Sequence, residues 1–316
     1  MTSMSPRLER DDESIEACCS TEAGPSITVQ VRGGIGNQLF IYAMGRRLSL
    51  ANRIPLYLDV SSGFQGDFFL RNYGLDLFNI AGRAMTRVRP SQWKRRAAIA
   101  GNAMLPFRYR RYFRESGGHF DRRYLDLRVV RSIFLEGYWQ DEQYFSDIRH
   151  ELKRDLIFRQ RHGELNERLA REIRNSESVA VHVRRLHGVP AGCQEPSSAV
   201  ESLPVDYYLA ALREIRERTR NPKVYLFSDS LSWPLFSAIP GDVVRVASEG
   251  EHAQYEDLWL MSQCRHFILA NSTFSWWGAW LGRAPESIVI SPVMQEWKQI
   301  VKVPDEWRSI QLSKKT

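Results

Sequence analysis

The sequence predicts an α/β protein whose sheets are mainly parallel. Short apolar runs such as SITVQV, SVAVHV and HFILA alternate with longer helical stretches along the chain. Strands that alternate with helices in this way build parallel sheets. The chain has 316 residues, and one domain typically needs about 100 to 200. Its hydrophobic content of 43% is enough to form well-packed cores in two domains.

The first half opens with a β-loop-α-β unit. Its elements are, in order, a buried strand at 26–32, a loop at 33–38, a helix from Gln38 to about Asn52, and a strand at 54–60. The stretch 61–150 is rich in aromatic residues and arginine and shows no clear period. The charged stretch 146–178 is predicted to be helical and could bridge two domains.

From residue 178 onward, strands and helices alternate regularly. The expected elements are a strand at 178–183, a helix at 205–220, strands at 223–228 and 243–248, a helix at 255–264, a strand at 266–270, a helix at 272–282 and a last strand at 287–291. In the helix at 205–220, an apolar stripe is formed by Tyr208, Ala211, Leu212 and Ile215. This pattern is typical of a doubly wound α/β domain.

Polar side chains follow the predicted strands of the second half. Ligands of parallel sheets bind outside the carboxyl ends of the strands. The residues at these ends are Arg184, Arg185, Ser228, Asp229, Asn271, Ser272 and Thr273. Arginine forks and helix N-terminal amides bind phosphate, and a carboxylate accepts hydrogen bonds from a ribose or a base. This edge therefore predicts a site for a nucleoside diphosphate.

The segment NSTFSWWGAWLG at 271–282 also has a structural explanation. Serine and threonine at a helix start are common N-caps. The three tryptophans that follow are predicted to pack in the core. The arginines at the neighbouring strand end favour a phosphate site over a simple cap.

The loop GGIGNQ resembles a dinucleotide-binding loop but lacks its third glycine, because Leu39 stands in that place. A Rossmann NAD site is therefore not indicated. Two explanations stay open for Gly34 and Gly36. One is a tight turn in which glycine supplies a positive φ, and the other is a close approach of the backbone to a ligand.

Several classes of protein are not indicated. The chain shows no D-x-D pair for a divalent cation, no zinc spacing, no Walker A loop and no G-x-S-x-G motif. No apolar run approaches the ~20 residues that span a bilayer. The segment 1–25 lacks a signal-peptide core and is expected to be a disordered leader. We therefore expect no metal or other cofactor, free cysteine thiols, and a location in the cytoplasm or at the cytoplasmic face of a membrane.

A basic and aromatic segment lies at 87–114. It holds nine lysines and arginines and no acidic residue, whereas the whole chain has a net charge of +7. This composition suits an anionic membrane surface, a lipid-diphosphate acceptor or nucleic acid. Nucleic acid is not expected, because no nucleic-acid motif accompanies the segment. A solvated, loosely folded insertion is the other explanation.

The motifs together resemble the α-1,2-fucosyltransferases of glycosyltransferase family 11. They are GGIGNQLFIYAMGRRLSLAN, PLYLDV, LEGYWQDEQYF, VAVHVRR, DYY, FSDS and YEDLWLMSQCRHFILANSTFSWWGAWL. The resemblance covers nearly everything from about 27 to 292. It implies a GT-B fold with two Rossmann-like lobes. We assign 26–165 to an N-terminal lobe that holds the acceptor side, the glycine loop and the basic segment, and 166–316 to a donor-binding lobe.

The resemblance also implies the reaction. Such enzymes transfer L-fucose from GDP-fucose to a galactoside hydroxyl with inversion and without a metal. The acceptor would be an oligosaccharide or lipid-linked glycan of surface-glycan biosynthesis. His182, Arg184 and Arg185 match the family's His-x-Arg-Arg motif, which is taken to bind the donor diphosphate. His182 and Arg184 of this motif, together with His187, are the expected catalytic residues. The other donor-binding residues would be Asp229, Asn271, Ser272, Thr273, Ser275, Gly34, Gly36, Asn37 and Gln38.

The chain departs from the family pattern directly after Arg185. The family continues with Gly-Asp-Tyr, whereas this chain has Leu186-His187-Gly188. His187 can replace the missing aspartate as a general base, or it can be a loop histidine. The other candidates for the base are Glu195 and Asp206. The departure also leaves open a non-catalytic GDP-sugar or glycan-binding homologue, and a transferase for another GDP-sugar.

Overall fold

The computed structural model describes residues 24–87, 92–115, 119–159, 162–184, 203–228, 238–248, 252–294 and 301–312. Within them the chain forms two separate parallel sheets, each flanked by helices. This arrangement confirms the predicted α/β fold of GT-B type. Almost all of the predicted leader lies outside the described residues.

The N-terminal lobe holds a five-stranded sheet in the order β3-β2-β1-β5-β4. Its strands, all paired in parallel, are β1 (Ile27–Gln30), β2 (Leu56–Asp59), β3 (Arg83–Met85), β4 (Tyr112–Arg114) and β5 (Ile133–Glu136). The helices described in this part of the chain are α1 (Ile35–Asn52), α2 (Gln92–Ala103) and α3 (Arg149–Asp155).

The C-terminal lobe holds a six-stranded sheet in the order β11-β10-β9-β6-β7-β8. Its strands, also all parallel, are β6 (Ser178–Val183), β7 (Lys223–Ser228), β8 (Val243–Val246), β9 (His266–Ile268), β10 (Val289–Met294) and β11 (Arg308–Leu312). The helices described here are α4 (Glu164–Arg174), α5 (Val205–Arg216), α6 (Ala253–Ser262) and α7 (Thr273–Gly282).

The central strands are covered on both faces, which explains their continuous apolar sequences. Every residue of β1 and β6 is buried, as expected for parallel strands between layers of helices. The predicted apolar stripe of α5 is confirmed, because all four of its members are buried. Strand and helix periodicity were therefore reliable where an element is long and central.

Three local predictions were wrong in part. The stretch 61–150 contains β3, β4 and β5, which have only three or four residues each and are too short to show a period. The charged stretch 146–178 is helical over α3 and α4, as predicted, but it is interrupted between them. There the chain pairs with residues 77–79 through a bridge between Phe158 and Phe78. The strand at 287–291 is not the last one, since β11 follows it as a mostly exposed edge.

An aromatic cluster joins the two lobes. We call it the interlobe cluster, and its members are Phe40, Phe145, Trp276, Trp277 and Trp280. The ring centroid of Phe40 lies 4.6 Å from that of Trp276 and 5.1 Å from that of Trp277. Phe145 stacks on Trp277 at 5.6 Å. The predicted core role of the tryptophans is thus correct, but their partners include α1 of the other lobe.

A polar rim surrounds the interlobe cluster. Glu142 accepts a hydrogen bond from Trp280 Nε1 at 2.6 Å and from Arg283 Nη2 at 3.0 Å. Arg149, at the start of α3, donates to the backbone carbonyl of Trp280 at 2.9 Å. Buried apolar contact and these hydrogen bonds together hold the two lobes in one arrangement.

The described part of the basic segment is folded. It forms α2, a short turn, and β4 at the edge of the N-terminal sheet. A loosely folded insertion is therefore wrong for residues 92–114. No helix in the described ranges has the length and apolar character that crossing a bilayer requires. Of the cysteines, Cys264 is a buried free thiol whose pKa is raised by burial, and the other three lie outside the described residues.

Candidate active site

The first turns of two helices from different lobes touch each other. α1 follows the carboxyl end of β1, and α7 follows the carboxyl end of β9. A Cβ atom placed on Gly36 would lie 2.5 Å from the carbonyl carbon of Thr273 and 2.6 Å from its Oγ1. Only glycine permits this approach, because those distances are far inside van der Waals contact. Gly36 thus serves a close approach, but its neighbour is the backbone of α7.

The other glycines of the loop have different tasks. Gly33 has a φ of +76°, which is the turn conformation that glycine adopts readily. Gly34 caps α1 with an extended backbone, and a Cβ placed there would meet no described atom within 4 Å. Open space therefore lies beside Gly34 at the N-terminus of α1, where the partial positive charge of a helix is concentrated.

Gln38 holds the glycine loop in place. Its Nε2 donates to the carbonyls of Gly33 at 2.9 Å and Asn72 at 2.8 Å, and its Oε1 accepts from the amide of Gly74 at 3.0 Å. The side chain is buried and both amide hydrogens are used. Gln38 consequently shapes the loop from behind, and the geometry does not support direct donor contact.

Asn37 connects the loop to the segment after β5. Its Oδ1 accepts a hydrogen bond from Gln140 Nε2 at 2.8 Å. The carbonyl of Gln140 in turn accepts from the amide of Lys302 at 3.2 Å, and the carbonyl of Lys302 accepts from Trp276 Nε1 at 3.2 Å. Asn37 is half-buried at the meeting point of the lobes. It begins a chain of bonds that ends on α7.

The carboxyl edge of the C-terminal sheet carries the predicted phosphate-binding groups. Arg184 directly follows β6, and Asn271 precedes the cap of α7. Ser272 is that N-cap, and its Oγ accepts from the amide of Phe274 at 3.3 Å. Thr273 begins the helix and touches Gly36. The structure therefore brings this strand end and the N-termini of α1 and α7 to one place.

Two predicted residues lie behind this surface. Ser275 is fully buried, and its Oγ donates to the carbonyls of Ala270 and Ser272 at 3.4 and 3.3 Å. His182 is 5% exposed within β6, and its ring packs against Phe274 with centroids 5.3 Å apart. Both side chains support the first turn of α7. Their geometry favours support over contact with a substrate, and a catalytic role for His182 stays a prediction.

Four predicted residues lie outside the described residues. They are Arg185, His187, Glu195 and Asp229. Their roles stay predictions from the sequence, and so does the choice of general base. Asp206, the remaining described candidate for that base, lies exposed in the first turn of α5.

Sequence reasoning missed a cluster at the carboxyl edge of the N-terminal sheet. Glu136 ends β5, is buried, and accepts a hydrogen bond from the hydroxyl of Tyr112. Arg32 Nη1 lies 3.9 Å and Arg114 Nε 3.7 Å from Glu136 Oε1. The guanidinium of Arg32 also covers the ring of Tyr138 at 4.4 Å from its centroid. Arg32 directly precedes the loop that carries Gly33 and Gly34.

A second carboxylate marks the neighbouring strand end. Asp59 ends β2, is fully buried, and accepts from the amides of Ser61 at 3.2 Å and Ser62 at 3.0 Å. Gln30, at the end of β1, donates to Ser62 Oγ at 2.8 Å. The carboxyl-end rule would have found Asp59, because a strand is predicted at 54–60. It could not have found Glu136, because β5 is too short to be recognised in the sequence.

Asp257 on α6 was also missed. Burial raises the pKa of its carboxyl group, against the lowering effect of hydrogen bonds from Ser248. The amide of Ser248, shortly after the end of β8, donates to Asp257 Oδ1 at 3.2 Å. Shifted acids often lie at functional sites. In the described parts of the chain, no group of three or more His, Cys, Asp and Glu residues is placed to hold a metal ion.

Comparisons with known proteins test the family resemblance that the motifs predicted. The model of Glycosyl transferase family 11 matches residues 83–309. An alpha-1,2-colitosyltransferase of Escherichia coli is 30% identical over 306 residues, which cover 90% of this chain and 99% of that protein. The O-antigen biosynthesis glycosyltransferase WbnK of Escherichia coli is 29% identical and covers 82% of this chain and 91% of its own length.

A solved structure supports the same fold. NodZ alpha-1,6-fucosyltransferase soaked with GDP-fucose superposes with a TM-score of 0.50 at 16% identity, and the match covers 84% of this chain and 95% of NodZ. The family model covers well over half of the chain, and the first relative aligns along nearly its whole length. The resemblance that the motifs predicted is thereby confirmed, and the chain belongs to glycosyltransferase family 11.

Proposed function

We propose that this glycosyltransferase moves L-fucose, or a close deoxy relative of it, from its GDP-activated form to a hydroxyl group of a terminal galactoside. One observation carries the proposal. The N-termini of α1 and α7 meet at the carboxyl edges of two parallel sheets, and Arg184 follows β6, the neighbour of the strand that leads into α7. Two helix N-termini and a guanidinium group form a strong site for an anion such as a diphosphate.

The leaving group explains why these residues suit catalysis. As the bond between the sugar and GDP breaks, negative charge grows on the β-phosphate. Arg184 and the backbone amides at Ser272 and Thr273 would stabilise that charge, and fixed donors of this kind act most strongly in the transition state. The proposed reaction needs no metal, since these groups supply the positive charge. A single displacement by the acceptor oxygen inverts the anomeric centre.

The acceptor is proposed to bind the N-terminal lobe. Arg32, Tyr138 and Glu136 lie at the carboxyl edge of its sheet, next to the loop that leads into α1. A guanidinium group, a carboxylate and an aromatic ring can bind sugar hydroxyls and the apolar face of a pyranose. The acceptor hydroxyl would then approach from the side opposite to the diphosphate, as an inverting reaction requires.

The identity of the donor sugar depends on one hydroxyl group. Colitose is L-fucose without its 3-hydroxyl, and one similar protein is a colitosyltransferase. A site that hydrogen-bonds a substrate hydroxyl rejects the analogue without it by about 10⁴ to 10⁵. An apolar pocket at that position would instead favour the deoxy sugar only modestly. Fucose is the first candidate and colitose the second.

GDP release by the purified chain, with EDTA present, tests the proposal. The donors are GDP-fucose, GDP-colitose and GDP-mannose, each with and without a β-galactoside acceptor. We expect acceptor-stimulated release from GDP-fucose or GDP-colitose. Turnover of GDP-mannose alone would contradict the donor class. Calorimetric binding of GDP-fucose without any turnover would favour a non-catalytic binding homologue.

The variant Arg184→Ala tests the proposed role of the guanidinium group. It should lower turnover by a factor on the order of 100 or more, by analogy with removed oxyanion donors. The matched control is Arg171→Ala, on an exposed position of α4. Circular dichroism shows whether both variants fold. Turnover of the Arg184 variant near that of the wild type would contradict the assignment.

A further inference from the structure

The turn between α2 and β4 exposes large apolar side chains beside arginines. Met104 is 88%, Leu105 43% and Tyr109 41% exposed. Arg108 and Arg111 are exposed in the same turn. We call residues 104–111 the basic tip. Exposed aliphatic residues at the apex of a turn are costly in water, so their clustering indicates a contact surface.

The basic tip is held in a defined shape. Asn102 closes it, because its Oδ1 accepts from the amides of Arg111 at 2.8 Å and Tyr112 at 3.1 Å. Arg110 donates from Nε to the carbonyl of Leu105 at 3.0 Å and from Nη2 to that of Ala103 at 3.2 Å. These bonds turn the carbonyl groups inward and leave the side chains of Met104 and Leu105 outside.

Not every apolar residue of the tip points outward. The ring of Phe107 packs against Phe113 and Tyr124, with both pairs of centroids 5.1 Å apart. Arg123 covers Phe107 at 4.6 Å from its ring centroid. Phe107 thus fixes the turn to the body of the protein, while Met104 and Leu105 remain exposed at its apex. Their exposure is therefore a feature of a folded turn.

The charge around the apex is positive. Among the described residues, no carboxylate forms an ion pair with Arg108, Arg110 or Arg111. The guanidinium of Arg108 lies 4.7 Å from the ring centroid of Tyr109. Proteins that bind anionic bilayers at the surface combine such exposed aliphatic side chains with a tyrosine at the interface and flanking arginines. Phosphate backbones of nucleic acids require the arginines but not an aliphatic apex.

The basic tip is separate from the active site. It precedes β4, whereas Arg114 and Glu136 lie at the carboxyl ends of β4 and β5 near the cleft. The tip is thus at the amino edge of the sheet, and the three-residue strand β4 spans about 10 Å. A surface could be bound there while the cleft stays open to both substrates.

We infer that the basic tip docks this enzyme onto an anionic lipid bilayer, with Met104 and Leu105 inserted between headgroups and Arg108 and Arg111 bound to lipid phosphates. Each basic residue near an anionic surface strengthens binding by about fivefold. The docking is reversible and weakens with salt, because few charges and little apolar area are involved. It requires no transfer reaction, so its test is independent of the proposed function.

Co-sedimentation of the full chain with vesicles tests the inference. The vesicles are phosphatidylcholine alone and phosphatidylcholine with 30% phosphatidylglycerol, at about 0.1 M salt, where exposed charges are only partly screened. We expect binding to the anionic vesicles and little to the neutral ones. Absence of binding to the anionic vesicles would overturn the inference.

Matched variants identify the surface. Arg108→Gln with Arg111→Gln should weaken binding by about 25-fold, or fivefold for each charge, and Met104→Asp with Leu105→Asp should abolish it. The controls are Arg154→Gln with Arg171→Gln, and Val130→Asp with Leu165→Asp, at exposed positions elsewhere. The controls should bind as the wild type does. Equal losses in controls and tip variants would overturn the inference.

A short single-stranded oligonucleotide distinguishes the other ligand class. If the arginine variant loses oligonucleotide binding while the Met104 and Leu105 variant keeps full vesicle binding, the tip is a nucleic-acid surface and the inference is wrong. All variants should retain the melting temperature of the wild type, because every changed side chain is exposed.

Discussion

Each glycine of the glycine loop stands at its position for a different physical reason. Gly33 adopts a positive φ, Gly34 faces open space, and Gly36 lies against the backbone of Thr273. Sequence alone offered a turn or a ligand contact for the whole loop. In the structure, these explanations apply to different positions of the loop. Replacing one glycine at a time by alanine, which adds a single methyl group, tests this assignment.

We expect Gly36→Ala to destabilise the protein and Gly34→Ala to leave it nearly intact. The added methyl at residue 36 would overlap Thr273, and overpacking typically costs about 1–3 kcal/mol. The methyl at residue 34 meets open space and costs under about 1 kcal/mol as a poorer cap. If a donor occupies that space, Gly34→Ala raises the KM for the donor. Thermal unfolding and initial rates measure both effects, and equal stability losses would contradict the assignment.

The buried carboxyl group of Asp257 should make stability depend on pH. Because burial raises its pKa, the carboxyl group keeps its proton to a higher pH in the folded state than in the unfolded state, where it ionises at about pH 4. The free energy of unfolding therefore falls as pH rises through this window. Asp257→Asn removes this loss and can still accept the bond from Ser248. We expect the variant to gain stability relative to wild type as the pH rises above about 4, measured by urea unfolding. A difference that does not change with pH would refute the argument.

At the scale of elements, the N-terminus of α7 combines two tasks. Ser272 caps the helix, and the same turn is proposed to bind the donor diphosphate. A cap and an anion site use the same unpaired amides, so sequence patterns cannot separate them. Substitutions that keep the cap and remove the anion site, or the reverse, can separate the two tasks.

Ser272→Ala and Ser272→Asp separate these tasks. Alanine removes the cap and should lower the free energy of unfolding by about 1 kcal/mol. Aspartate restores a cap and interacts favourably with the helix dipole, so stability should return. Its negative charge would repel a diphosphate, so the KM for the donor should rise further. Donor binding by the aspartate variant equal to that of wild type would exclude a diphosphate at this turn.

At the scale of the whole molecule, one apolar core runs through both lobes. The core cluster that contains β1 and α1 also contains the tryptophans of α7. Aromatic pairs of this geometry add about 0.5–1.5 kcal/mol each beyond the burial of their area. A second core lies on the other face of the C-terminal sheet, around α5. Contact on this scale predicts that the lobes unfold together.

Phe40→Ala tests this cooperativity. Loss of a buried phenylalanine typically costs about 3–5 kcal/mol. Because Phe40 belongs to the N-terminal lobe and contacts the tryptophans of the other, we expect one calorimetric transition at lower temperature. The matched control is Leu212→Ala in the second core, which should also give a single transition. A separate transition of the C-terminal lobe at its original temperature in the Phe40 variant would contradict a shared core.

The sequence by itself determined the class of fold, the alternation of its long central elements, and the family. It also located Arg184, Asn271, Ser272 and Thr273 at strand ends, because the carboxyl-end rule depends only on local order along the chain. Residues 185–202, which hold the departure from the family pattern, gain nothing from the structure, since they lie outside the described residues.

Only the tertiary structure decided what several site residues touch. Gln38 and Ser275 proved to support backbone turns, and Gly36 proved to contact a helix more than 200 positions away in the chain. Glu136 lies close to Arg32 and Arg114, which come from the ends of other strands. β11 pairs at the edge of its sheet although its own sequence shows no apolar period. Local periodicity reports burial, whereas these roles come from contacts between distant segments, which exist only once the sheets and helices have packed together.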